Sequence, residues 1–138
     1  GRVGGEDRAI ADACFKLGYL YSQQDRAGEA EEKYVEALRI FVALEGEWSE
    51  NVASLLFNLG VIYDGQGRLD DALRAMKRAL RVFRRAHGDG HRRVADALCN
   101  LGVYLFKSGQ FQKAKASIEE AHAMYVGLYG EDHETVAM

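Results

Sequence analysis

Proline is absent from the 138 residues, and only two cysteines, Cys14 and Cys99, are present. Without proline, no helix is forced to end by a missing backbone N–H group. Two cysteines placed 85 positions apart do not form the disulfide framework of a small secreted domain, which predicts a reducing, cytoplasmic location. No apolar run approaches the roughly 18 residues of a membrane-spanning helix, so we expect no membrane span.

The chain also lacks a strong excess of charge. Its net charge is -3 with 28% charged residues, which indicates no class of partner by itself. Apolar residues make up 48% of the chain, enough for a continuous core, and 15 glycines are present. An all-helical chain with glycine turns fits this composition.

The sequence repeats itself every 42 residues without gaps. Seven positions are identical in three successive rows, as in Leu17, Leu59 and Leu101, each followed by glycine. This period predicts one domain over residues 1–138, made of the repeats 11–52, 53–94 and 95–136.

Each repeat contains two amphipathic helices. In the first repeat, apolar residues recur at the spacing of one helical face, as in Cys14, Leu17, Gly18 and Tyr21, and then in Ala30, Tyr34, Ala37 and Phe41. We expect the glycine at position 18 and its equivalents to let the second helix approach closely. The predicted helices are 7–23, 27–45, 50–65, 69–86, 92–107 and 111–128.

Short turns separate these helices. Asp25, Gly67 and Gly109 are predicted to end the first helix of each repeat, and Gly46, Gly88 and Gly130 to end the second. One helical hairpin cannot bury its own apolar stripe, whereas stacked hairpins can. The sequence therefore predicts an all-α fold, an α-solenoid of stacked antiparallel helix pairs.

These residues resemble a known family. The Leu-Gly pair, the tyrosine three residues later (Tyr21, Tyr63) and the two spaced alanines resemble the tetratricopeptide repeat (TPR) signature. The 42-residue period, the linker Gly88-Asp89-Gly90-His91 and the pair Asn58-Leu59 resemble the kinesin-light-chain type. The resemblance implies a TPR superhelix whose concave face receives a peptide or a partner helix.

The first repeat departs from this pattern. Lys16 replaces the asparagine found at positions 58 and 100, and Ser49 replaces the histidine found at positions 91 and 133. Kinesin light chains typically carry a second asparagine where this chain has Phe15, Phe57 and Cys99. The resemblance therefore supports the repeat type and implies no particular cargo.

The predicted binding groove is the face of the first helices opposite their core stripe. It combines an apolar strip, flanking carboxylates that could meet Lys or Arg of a peptide, and polar residues that could bond to an extended backbone. Packing between neighbouring first helices is the alternative role for its aromatic residues. The candidate residues are Asp12, Phe15, Lys16, Tyr19, Phe57, Asn58, Val61, Asp64, Asp96, Cys99, Asn100, Val103 and Phe106.

A second candidate surface is the basic second helix of the middle repeat. Residues 68–93 carry a charge of +6, and Arg74, Arg78, Arg81 and Arg85 share one helical face. An acidic partner, nucleic acid or an anionic membrane could bind there. A solvated face paired with acidic neighbours is favoured instead, because no aromatic residues interleave with the arginines to stack on bases.

The sequence indicates no catalytic residue, metal site or cofactor. His87 and His91 are four residues apart, but Gly88 and Gly90 interrupt the helix between them. His91 and His133 are expected to cap the helices that follow. Trp48, in a linker, is expected either to pack on the second helix or to form a surface contact.

The repeat pattern extends to both ends of the sequence. Gly4 and Val136 stand in register with Gly46 and Val52, which predicts a fragment of a longer array. Ile118, Ala121, Met124 and Tyr125 would then be covered by a further repeat, and self-association through this edge is a second possibility.

The sequence thus predicts a protein-interaction module, a scaffold or adaptor that captures a peptide or helix in its groove. The alternative is a regulatory or targeting arm of a larger enzyme or motor assembly. Nucleic-acid binding through the arginine face is favoured least.

Overall fold

A computed structural model describes the backbone of residues 4–137 and the side chains of residues 4–130. Within these residues the chain forms six α-helices and no strand. The helices are α1 (Gly4–Gln23), α2 (Ala27–Glu45), α3 (Glu50–Gly65), α4 (Leu69–His87), α5 (Arg92–Lys107) and α6 (Phe111–Ala137).

The helices pack as three successive pairs. The most extensive contacts join α1 to α2, α3 to α4, and α5 to α6. Smaller contacts of α2 with α3 and of α4 with α5 link each pair to the next. This arrangement confirms the predicted all-α solenoid of stacked helix pairs, in which each pair shields the apolar flank of its neighbour.

Small residues on one helix face large residues on its partner. Tyr34, Phe41, Met76 and Phe83 are at most 2% exposed. A Cβ atom built on Gly18 would lie 2.5 Å from Cδ1 of Tyr34, so only glycine allows this approach without a shift. The close packing predicted at the repeated glycine is confirmed.

The turn inside each pair has one geometry, a Schellman motif. Asp25, Gly67 and Gly109 have φ values of 59°, 76° and 83°. One residue later, the N–H of Arg26 donates to the carbonyl of Tyr21 at 2.9 Å, and positions 68 and 110 repeat this bond. The left-handed residue reverses the chain and satisfies carbonyls at the end of the first helix.

The turns between pairs also use local signals. Gly46 and Gly88 follow α2 and α4 with φ values of 85° and 74°. Ser49 Oγ then accepts from the N–H of Val52 at 3.1 Å, and His91 Nδ1 accepts from the N–H of Arg93 at 3.1 Å. The capping role predicted for His91 is confirmed, whereas the side chain of His133 lies outside the described residues.

Three helix boundaries differ from the prediction, although α4 is only one residue longer and ends at His87 instead of 86. α1 begins at Gly4 instead of residue 7, and α6 continues through Gly130 to Ala137 instead of ending at 128. Gly46 and Gly88 are each followed by a helix that packs back on the preceding one. No such helix follows Gly130 in the described chain, so the backbone hydrogen bonds of α6 continue through the glycine.

Candidate functional site

An apolar strip runs across the first helices of the three repeats. Tyr19 of α1, Val61 of α3 and Val103 of α5 occupy equivalent positions and are 54%, 47% and 39% exposed. Phe106, one turn further along α5, is 61% exposed and contacts Phe111 with ring centroids 5.3 Å apart. Each first helix thus presents an exposed apolar side chain at the same repeat position.

The other aromatic residues of the predicted groove lie deeper. Phe15 and Phe57 are partly buried and pack against the core, together with Cys99 at the equivalent position. The ring of Phe15 meets Tyr34 edge to face at 5.9 Å. These side chains therefore have a packing role and form the base of the strip.

Two of the three predicted carboxylates already have partners within the chain. Asp64 accepts hydrogen bonds from Lys107 Nζ at 2.9 and 3.0 Å. Asp96 accepts from the hydroxyl of Tyr125 and lies 3.9 Å from Arg92 Nε. Asp12 is exposed on α1. Two of these three carboxylates thus already bind side chains of the same chain, which leaves them less able to bind a basic peptide.

Two tyrosines near these carboxylates have raised pKa values. Burial, followed by the charge of Asp64, raises the pKa of Tyr104 to about 12. Burial, with the hydrogen bond to Asp96, also raises the pKa of Tyr125. Both tyrosines therefore stay neutral at physiological pH, and the Tyr125 hydroxyl can donate its hydrogen bond to Asp96.

The polar residues beside the strip differ between repeats. Lys16 is exposed, whereas Asn58 and Asn100 are partly buried. Burial raises the pKa of Tyr34, and hydrogen bonding with Ser22 and Asn58 opposes this shift. Asn58 thus ties α3 to the preceding repeat, and Asn100 occupies the equivalent position on α5.

A shallow pocket of about 380 Å³ opens beside the strip. It is lined by Phe57, Asn58, Arg92, Arg93 and Asp96. Arg93 donates to the Ser54 hydroxyl at 3.2 Å, which spans α5 and α3. The sequence analysis counted both arginines in the basic segment 68–93 but did not place them in the groove, although their position at the start of α5, one turn before Asp96, was a usable signal.

The arginine face of α4 is partly neutralised. Arg74 pairs with Asp71, and Arg78 lies 3.4 Å from Glu47. The guanidinium of Arg85 lies 4.3 Å from the centroid of the Trp48 ring. Trp48 therefore packs on α4, the second helix of the middle repeat, and its side chain is half exposed. Arg81 is exposed.

His87 and His91 come together despite the glycines between them. Their rings stack with centroids 3.8 Å apart, and His87 Nε2 lies 3.0 Å from Glu50. Stacked imidazoles do not converge on one metal ion. Across the described residues, no group of three or more metal-ligating side chains is present.

The tetratricopeptide repeat family matches residues 7–85 and 52–126, which together span most of the chain. The chain belongs to the tetratricopeptide repeat family. TPR proteins generally act as protein-interaction modules and typically as non-catalytic scaffolds. A comparison with curated protein sequences finds no match.

Among solved structures, the TPR chain is similar to BtubC (BKLC) from P. vanneervenii, with 31% identity and a TM-score of 0.83 over 91% of this chain. It covers 51% of that structure, so it spans about half of that protein's length. Because this neighbour is a bacterial kinesin-light-chain-like TPR protein, the similarity supports the kinesin-light-chain-like repeat type expected from the sequence.

Two further solved structures show the fold alone. The TPR domain of Arabidopsis FLU is 16% identical, with a TM-score of 0.75 over 85% of this chain and 95% of that one. The N-terminal domain of stress-induced protein-1 from C. elegans is 17% identical, with a TM-score of 0.69 over 86% and 87%. Among the described helices of this TPR chain, none is long and apolar enough to cross a membrane.

Proposed function

We propose that this TPR chain is a non-catalytic scaffold or adaptor that holds a peptide or a helix of a partner protein along its first helices. The observation that carries the proposal is the exposed apolar residue at one equivalent position of each first helix, Tyr19, Val61 and Val103. Exposed apolar residues that together form a patch on a protein surface often mark a site where a partner binds. An amphipathic segment laid across the three repeats would bury all three side chains.

The charges beside the strip favour an acidic segment. Asp64 is paired with Lys107, and the pocket beside the strip holds two arginines, Arg92 and Arg93, against one carboxylate, Asp96. This leaves a net positive charge there to attract a partner. Arg92 is 71% exposed at its side chain, and it shares the pocket next to Phe57 with Arg93. A carboxylate of the bound segment would enter this pocket while a neighbouring apolar side chain covers Val61.

The likeness to the bacterial BKLC structure supports a second candidate, in which this chain is the targeting arm of a larger motor or enzyme assembly. The two candidates share the same binding surface. A cytoplasmic location suits both. Nucleic-acid binding is disfavoured, because Asp71, Glu47 and Trp48 contact three of the four arginines that form the arginine face of α4.

The test is a selection of peptides displayed on phage against the immobilised chain, followed by titration of the selected peptides. We expect peptides rich in acidic and large apolar residues. Val61→Glu and Val103→Glu should each lower affinity about tenfold or more, because they place a carboxylate where an apolar side chain and an acidic peptide meet. Both positions are exposed, so the helical circular dichroism signal should persist.

The matched control is Val35→Glu, since Val35 is 43% exposed on α2, away from the first-helix strip. This variant should bind the selected peptides like the wild type. If Val61→Glu and Val103→Glu bind as tightly as Val35→Glu, the strip is not the binding surface. If only basic peptides are selected, the inferred preference for acidic partners is wrong.

A further inference from the structure

Arg92, at the start of α5, lacks the acidic partner that its counterpart in the first repeat has. Arg8 of α1 pairs with Glu45 of α2 at 2.5 Å. Two 42-residue periods later, the equivalent residues of the third repeat are Arg92 of α5 and Tyr129 of α6. Because a tyrosine stands where the first repeat has a glutamate, α6 supplies no carboxylate to Arg92 from this position.

Asp96, one helical turn after Arg92, lies at the edge of ion-pair distance. Its Oδ2 atom is 3.9 Å from Arg92 Nε, which is too far for a hydrogen bond. Arg68 and Asp71, by comparison, approach to 3.0 Å. The Oδ1 atom of Asp96 accepts a hydrogen bond from the hydroxyl of Tyr125, so this carboxylate is bonded to α6 and not to Arg92. The side chain of Arg92 is left 71% exposed.

The hydroxyl that bonds to Asp96 is found only in the third repeat. The equivalents of Tyr125 are Phe41 and Phe83, which are buried in the core. The ring of Tyr125 is partly buried and packs against the same core. A phenylalanine ring therefore meets the packing requirement at this position, and what the tyrosine adds is the bond to Asp96.

Arg93, the other arginine of the pocket, is held by uncharged groups. Its Nη1 atom donates to the Ser54 hydroxyl at 3.2 Å, and its guanidinium lies 5.6 Å from the centroid of the Phe83 ring. Neither contact neutralises its charge. The pocket thus contains two guanidinium groups and a single carboxylate, which is bonded to Tyr125.

We propose that Tyr125 and Tyr129 are positioning residues that keep Arg92 available for a carboxylate of the partner. This role rests on the proposed function, in which an acidic segment enters the pocket. Tyr125 holds Asp96 back from Arg92, and Tyr129 occupies the place where the first repeat closes an ion pair. The planar guanidinium of Arg92 can then donate two parallel hydrogen bonds to the bound carboxylate, with Arg93 beside it.

The chain without a partner tests the role of Tyr125. In Tyr125→Phe the carboxylate of Asp96 is released and should close on Arg92, which lies four residues earlier on the same helix. The Nε–H signal of Arg92 in a proton–nitrogen NMR spectrum should therefore shift, and Asp96→Asn added to this variant should remove most of the shift. The matched control Tyr129→Phe should leave the signal in place. An unshifted signal in Tyr125→Phe overturns the proposal.

Binding tests whether this role affects the partner. The probes are the tightest acidic peptide from the phage selection and the same peptide with each Glu or Asp replaced by Gln or Asn. Tyr125→Phe should weaken the acidic peptide about threefold to tenfold, because Asp96 then competes for Arg92, and should leave the affinity for the amide peptide unchanged. Asp96→Asn should restore binding of the acidic peptide. A purely structural role of Tyr125 would weaken both peptides alike.

Position 129 gives an independent pair of variants. Tyr129→Glu recreates the Arg8–Glu45 pair opposite Arg92 and should weaken the acidic peptide several-fold, whereas Tyr129→Phe should bind it like the wild type. Tyr129 is 44% exposed, so neither change should alter the circular dichroism spectrum.

The outcomes separate this inference from the proposed function. If the wild-type chain selects no acidic peptide, the proposed function is wrong in its preference and the role of the two tyrosines is wrong with it. If acidic peptides bind but Tyr125→Phe affects the acidic and amide peptides equally, or neither, only the positioning role is wrong. Unchanged binding of the acidic peptide to Tyr129→Glu contradicts the role of Tyr129.

Discussion

At the residue scale, the glycines that follow the repeated leucines differ in what an added methyl group would meet. At Gly18 a Cβ would lie 2.5 and 2.6 Å from ring atoms of Tyr34, which is buried and held by Phe15. At Gly60 it would lie 3.0 Å from Cε of Met76, the flexible end of a long side chain. The same repeat position therefore tolerates an added methyl group less well in the first repeat than in the second.

Gly18→Ala should lower the free energy of unfolding by about 1–2 kcal/mol, because overpacking against a rigid ring outweighs the higher helix propensity of alanine. Gly60→Ala is the matched control. There the methionine can move and alanine gains up to about 1 kcal/mol of helix propensity, so stability should stay near that of the wild type. Urea unfolding measures both. Equal losses in the two variants would contradict the role given to the tyrosine ring.

At the element scale, the turn inside each pair requires a left-handed residue, and only the first repeat uses a residue other than glycine. Asp25 has φ of 59°, whereas Gly67 and Gly109 fill the equivalent positions. A left-handed conformation costs L-residues roughly 1–2 kcal/mol, less for aspartate than for most others. The turn between α1 and α2 is thus the more strained of these matched turns.

Asp25→Gly should stabilise the chain by about 0.5 kcal/mol, because relief of strain exceeds the added entropy of the unfolded glycine. Gly67→Ala makes the reciprocal change in the second repeat and should cost about 1 kcal/mol. The midpoints of thermal unfolding should therefore move in opposite directions. A lower midpoint for Asp25→Gly would show that the aspartate side chain stabilises the turn more than its backbone strain destabilises it.

The ends of the helices could be predicted from the sequence where the residues that determine them lie close to those ends. The left-handed turns at Asp25, Gly67 and Gly109 and the caps after Gly46 and Gly88 depend on residues within a few positions of the helix ends. The end of α6 was predicted wrongly, because a glycine permits a turn without enforcing one. The turn also depends on the helix that packs beyond it.

The candidate site was predictable only as a set of positions on one helix face. Helical periodicity places Tyr19, Val61 and Val103 on that face, and the structure leaves them exposed. The ion pair of Asp64 with Lys107 joins residues 43 positions apart and depends on the offset between stacked helices. No sequence spacing reveals that offset, so the partners of the groove carboxylates had to come from the structure.

At the scale of the whole molecule, the helices differ in how many neighbours support them. α3 packs against α2 and α4, and α4 against α3 and α5, whereas the main contact of α1 is with α2 and that of α6 is with α5. In a stacked array, stability is the sum of each repeat and its nearest-neighbour contacts. The outer helices therefore open at a lower free-energy cost than the central ones.

Hydrogen exchange followed by mass spectrometry should show this gradient at a protein concentration low enough to keep the chain monomeric. Amides in α3 and α4 should exchange most slowly, and amides in α1 and in α6 beyond Gly130 most rapidly, because local opening there breaks contacts with a single neighbouring helix. Equal protection in all six helices at low concentration would mean that the chain unfolds as one cooperative unit.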